Sequence, residues 1–151
     1  MAADRRPGER WYYFTAGVVL LGDILHRVLP GGLEAYADEH LFAPLGIRRY
    51  AWQHTPQGVA NTAGGLRMRP LDLARFGELY RSGGRFDGEQ VLPAEWVAES
   101  LSPRCETTDP ATRYGYLWWN STLPVAGEAW EAWYCSGNGG RQCQPLWRRL
   151  R

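Results

Sequence analysis

The chain has 151 residues, 44% hydrophobic, 22% charged and 13% aromatic, with eight Trp. A domain of that length supports one core rather than two independent ones, and the composition excludes a disordered, collagen-like or disulfide-stapled chain. The 17 basic residues nearly cancel the 16 acidic ones, which removes the electrostatic case for nucleic acid or an anionic membrane as main partner. All 17 are arginine, so no residue of this chain can act as a P-loop lysine, a Schiff-base lysine or a lysine general base.

Residues 1–10 are polar and contain Pro7 and Gly8, which reads as a loose tail. Trp11 to Phe14 place four aromatics in a row, favouring an extended entry. From Thr15, the spacing of Val18, Leu21, Leu25 and Val28 predicts a first helix that stops at Leu29-Pro30-Gly31-Gly32. A second helix is predicted over 33–42, with Leu33, Tyr36, Ala37 and Leu41 on one face. Residues 48–69 hold Pro56, Gly58, Asn61, Gly64 and Gly65 without a sustained period, so they read as connection with short strands.

Pro70 in a first turn, Asp72 behind it, the apolar set Leu73, Phe76, Leu79, Tyr80 and the stop Gly83-Gly84 predict a third helix. A turn at Phe86-Asp87-Gly88-Glu89 leads to Val91-Leu92 and a short fourth helix opened by Pro93 and ending near Ser100. The aromatic run 114–120 reads as a strand, and 130–136 as its hairpin partner across a loop holding Pro124 and Gly127. Residues 141–151 carry four arginines and no usable period, and read as a divergent basic tail.

Few constellations carry chemistry by themselves. His26, His40 and His54 fall on separate elements without a second ligand at metal spacing, so no metal site is expected. Cys105, Cys135 and Cys143 lack CxxC spacing and read as incidental or buried thiols. No serine sits in a Gly-x-Ser-x-Gly elbow, and Ser82, Ser100, Ser102 and Ser121 lie beside turns or helix ends without a visible base. The run 18–21 is too short for a membrane span, and the compartment is not legible.

Seven local patterns nevertheless stand in order: 11–17 with Leu20-Leu21-Gly22; Leu41-Phe42-Ala43-Pro44-Leu45-Gly46-Ile47; Thr62-Ala63-Gly64-Gly65-Leu66; 70–77; Val91-Leu92-Pro93 with Trp96-Val97; Tyr114-Gly115-Tyr116 with Trp118-Trp119; and Ser136-Gly137-Asn138-Gly139-Gly140. Together they resemble the serine β-lactamase and penicillin-binding-protein superfamily, and within it the esterase and aminohexanoate-oligomer hydrolase branch. The resemblance implies an α+β, incomplete β-lactamase/transpeptidase-like fold over residues 11–140, with about four helices and an aromatic antiparallel hairpin.

It also implies an acyl-serine mechanism without a cofactor, acting on a small ester, amide or β-lactam. The family's Ser-x-x-Lys lies upstream of the matched region, and a chain without lysine cannot hold it. The second motif, Tyr-x-Asn, falls on Tyr13-Phe14-Thr15: Tyr13 is then the general acid or base, and Thr15 replaces the asparagine. The third motif falls on Cys135-Ser136-Gly137, where Ser136 would hydrogen-bond the substrate and Gly137 would let it lie along the strand. Relatives continue with alternating strand residues, whereas Arg141-Gln142-Cys143-Gln144-Pro145 reads as a shifted frame. The expectation is the middle-to-C-terminal portion of such a hydrolase, inactive alone. The alternative is an aromatic binding module using Trp118, Trp119, Trp130 and Trp133 as stacking platforms.

Overall fold

The computed structural model describes Arg6, Glu9, residues 11–137 and the backbone of residues 141–149. Of the expected tail, only Arg6 and Glu9 are therefore described, and Asn138, Gly139 and Gly140 lie outside the described residues.

Helix α1 spans Thr15–Val28 and ends as Leu29 turns extended ahead of Pro30. The next helical segment is shorter than its pattern predicts: α2 covers Gly32–Ala37, and Asp38–Phe42 widens into a π-helical turn. The wider turn continues into bonds from Ala43 to the Asp38 carbonyl (2.8 Å) and from Ile47 to the Phe42 carbonyl (2.8 Å). Phe42, Leu45 and Ile47 thereby share one core with Leu79.

Strands β1 (Tyr50–Trp52) and β2 (Leu66–Met68) pair antiparallel within the expected connection. Helix α3 covers Pro70–Arg81, with Pro70 at the position where a missing N–H costs nothing. Beyond it, β3 (Arg85–Phe86) and β4 (Glu89–Gln90) close around Asp87 and Gly88, whose φ values of 48° and 85° give the turn that matches strand twist. Helix α4 follows at Ala94–Ser100.

The C-terminal third is one antiparallel sheet in the order β5 (Cys105–Glu106), β6 (Thr112–Gly115), β7 (Trp118–Val125), β8 (Glu128–Gly137), β9 (Arg141–Arg149). Two expectations change here. Residues 114–120 are not one strand, because the chain reverses at Tyr116 (φ 46°) and Leu117 (φ 70°). Non-glycine residues with such angles cost roughly 1–3 kcal/mol each. Contacts at the tip offset that cost: the Tyr116 ring meets Trp96 edge-on at 5.3 Å and Arg104 at 5.1 Å, and its hydroxyl donates to Glu99 (3.0 Å). Residues 141–149, in which no period was legible, pair as a strand along β8.

Alternation along β7 and β8 gives the sheet two unlike faces. Trp118 (5% exposed) and Trp133 (8%) point to the helix side and join Tyr80 and Val97 in a second core. Leu79 and Tyr80, adjacent on α3, thus serve one core each. The Trp133 indole N–H is satisfied by the Leu101 carbonyl at 2.6 Å.

One buried charge ties α3 to the segment before it. Asp72 is fully buried and accepts two hydrogen bonds from Arg69 (2.7 and 2.9 Å) and one from Arg75 (3.3 Å). Arg75 also donates to the Gly46 carbonyl at 2.8 Å. The Arg69 hydrogen bonds, with the charges of both arginines, hold the Asp72 carboxyl below the usual carboxylate range despite its burial. A lowered folded pKa gives stability that is present above the unfolded value of about 3.9 and lost as pH falls through the folded one. Asp72→Asn is expected to lower Tm at neutral pH and to flatten the loss of stability on acidification below about pH 4. Identical acid slopes for the two proteins, followed by thermal unfolding across pH, would contradict this role.

Candidate active site

The extended segment before α1 explains where Tyr13 goes. Side chains two apart in extended backbone share a side, and Trp11 and Tyr13 both turn to the sheet face opposite α3 and α4. Trp11 lies 5.8 Å from Tyr114 and 5.7 Å from Trp119, both edge-on. Tyr13 lies 6.1 Å from Tyr114, nearly perpendicular, and 5.7 Å from Trp119 at 32°. The intervening Tyr12 is 67% exposed.

Under those rings, Tyr114, Trp119 and Tyr134 form one row across β6, β7 and β8. Trp119 packs edge-on against Tyr114 at 4.9 Å and parallel to Tyr134 at 6.4 Å. Ser136 is two residues beyond Tyr134 on the same strand, so the pleat puts it on this face too. The structure therefore brings Tyr13 and Ser136 to one side of one sheet. Ser136 and Gly137 are exposed and stand opposite Gln142 and Arg141 of β9. Thr15 is the first residue of α1 and is exposed.

A polar line that sequence reasoning missed runs along the same face. Thr112 donates to Asp109 (2.7 Å) and meets Ser121 (3.1 Å), which meets the Tyr134 hydroxyl at 3.2 Å. The hydrogen bond from Thr112, then that from the Ala111 N–H, lowers the Asp109 pKa. Only the strand register, Thr112 opposite Ser121, reveals this line, and register is invisible without knowing the Tyr116-Leu117 turn.

The other serines have local partners: Ser82 bonds Glu78 (2.8 Å), Ser100 the Val97 carbonyl (3.2 Å) and Ser102 the Ala98 carbonyl (3.0 Å). His54 pairs with Glu34 at 2.9 Å, and the His40 ring lies 4.2 Å from that of Tyr36, tilted by 51°. No group of three or more potential metal ligands occurs among the described residues. A groove of about 470 Å³ runs between α1 and residues 55–59, lined by Val19, Leu20, Asp23, His26, Thr55 and Val59, and by none of the four expected site residues.

The beta-lactamase family model matches residues 1–143. The chain belongs to the beta-lactamase family. Among solved structures, a protein assigned as a 6-aminohexanoate-dimer hydrolase from Bacillus anthracis superposes with a TM-score of 0.75 at 20% identity, covering 93% of this chain and 36% of that one. The octameric penicillin-binding protein homologue from Pyrococcus abyssi gives 0.64 at 23% identity, covering 87% of this chain and 34% of that one. No curated protein sequence matches. This member of the family thus has a partial β-lactamase-like α+β fold, with four α-helices and antiparallel sheets among the described residues, spanning about a third of each neighbour.

The binding-module alternative places its stacking platforms on tryptophans of β7 and β8. Trp118 and Trp133, two of its four proposed platforms, are buried against α3 and α4 and offer no stacking surface.

Burial, followed by the proximity of Tyr13, Cys105 and Cys135, pushes the Tyr114 phenol up to about 12. Tyr50 reaches about 12 as well, through burial and its bond to Asp38. A phenol with a raised folded pKa contributes stability that is intact below its unfolded value of about 10 and lost as pH climbs toward the folded value. Spectrophotometric titration should therefore show a late-ionising class, from which Tyr114→Phe removes one phenol. Loss of a phenol from the early class instead would contradict the packing described.

Proposed function

We propose that this chain carries the tyrosine and third-motif parts of an acyl-serine hydrolase site, and that it does not turn over substrate unaided. The observation that carries the reading is that a chain matching the family model over 1–143 contains no lysine. In the mechanism of the family, a serine attacks the carbonyl carbon while a lysine takes its proton, and a tyrosine returns a proton to the leaving group. Tyr13 fills the last role, with Trp119 and Tyr114 fixing its ring. Thr15 borders it at the start of α1, and Ser136, on the same sheet face, receives the substrate with Gly137 next to it along the strand. An ester, amide or β-lactam is the substrate class, and no cofactor enters the chemistry.

The exterior of α1 supports the same reading. Leu20, Leu21, Ile24, Leu25 and Val28 are all exposed on that helix, an apolar surface of the kind that packs against more protein. About two-thirds of each structural neighbour has no counterpart in this chain. No single described helix is long and apolar enough to cross a membrane.

Purified chain assayed with nitrocefin and short p-nitrophenyl esters is expected to show no hydrolysis above buffer. Saturable hydrolysis that disappears in Tyr13→Phe or Ser136→Ala would overturn the proposal.

A further inference from the structure

We propose that Cys135 and Cys143 form a redox-active pair, oxidised to a cross-strand disulfide that fixes β9 to β8 immediately before Ser136. The two cysteines are eight positions apart in sequence, and the hairpin makes them direct register partners. Directly opposed residues of an antiparallel pair have Cα atoms about 4.5–5.5 Å apart, within the roughly 4.4–6.8 Å that a disulfide spans. The register itself is adjusted just before them: Trp133 faces Leu146 and Cys135 faces Cys143, so β9 has one residue more than β8 in that step. Without that extra residue Cys135 would stand opposite Gln144.

The remaining thiol is placed differently. Cys105 belongs to β5, at the far side of the sheet from β9 with β6, β7 and β8 between them. Cys105 pairs in register with Tyr114, its thiol directed at the Tyr114 carbonyl at 3.4 Å, and burial pushes its pKa up, which slows its reaction as a thiolate. The fold thus keeps Cys105 apart from the two cysteines that are register partners.

The oxidant is a low-molecular-weight disulfide of the glutathione type. One protein thiolate attacks it, forming a mixed disulfide and releasing one reduced thiol; the second protein thiolate then displaces the other. Two protein thiols give up two protons and two electrons, and the reagent disulfide becomes two thiols. The new bond closes the hairpin whose β8 arm carries Ser136 and Gly137, so it restricts the strand edge at that point and resists separation of β9.

The full chain, reduced and then treated with glutathione disulfide under native conditions, is alkylated and digested with trypsin, which cleaves after its arginines. The expected product joins the peptides of residues 114–141 and 142–148, while the peptide of residues 105–113 carries an alkylated Cys105. Because the strand register sets the two residues opposite each other, the link should form about tenfold faster or more in the native chain than in concentrated guanidinium. Cys105→Ser should keep the link and Cys143→Ser lose it. Bonds to Cys105, dimers through disulfides, persistent full alkylation, or equal rates in native and denatured chain would each overturn the proposal.

Discussion

The architecture depends on side chains alternating across β7 and β8. Trp118 and Trp133 go to the helix side and fill the core under α3 and α4. Their immediate neighbours Trp119 and Tyr134 go to the other side, where Trp119 receives Trp11 and Tyr13. A slip of one residue would put the core tryptophans in water and bury the row that holds Tyr13. Both long hairpin partners carry the constraint at once, so the hydrophobic effect specifies the register firmly. The face that presents the candidate site is therefore a consequence of the packing of the opposite face.

Much of this was readable from residue order. Helices α1, α3 and α4 follow from apolar spacing and from Pro30, Pro70, Pro93 and the Gly83-Gly84 stop, because each of those residues acts locally on the backbone. The π-helical turn at Asp38–Phe42 was not readable, since it arises from where Phe42 must go to meet Leu45, Ile47 and Leu79. The reversal at Tyr116-Leu117 was hidden for a related reason. Bulky residues in left-handed backbone are held by tip contacts from Trp96, Glu99 and Arg104, which sequence spacing cannot show. Residues 141–149 have no period of their own, and β8 supplies the pairing that makes them a strand.

The candidate site was legible only in its parts. Tyr13, Thr15, Ser136 and Gly137 came from ordered resemblance, whereas their relation across more than a hundred residues comes from the sheet. The Asp109–Thr112–Ser121–Tyr134 line and the clamp of Asp72 by Arg69 and Arg75 depend on register and burial, and neither has a sequence signature. Arginine does this clamping throughout, with its planar fork suited to carboxylates, but it cannot exchange a proton near neutral pH as a catalytic lysine does. The composition thus supports the fold while supplying no lysine.

The central claim is that these residues supply the acid and the strand edge of an acylating site but not its nucleophile. Intact-mass analysis of the folded chain after exposure to a penicillin and to a fluorophosphonate addresses it most directly. The account predicts an unmodified mass with both reagents. A stoichiometric adduct mapped to one serine of the chain would contradict it.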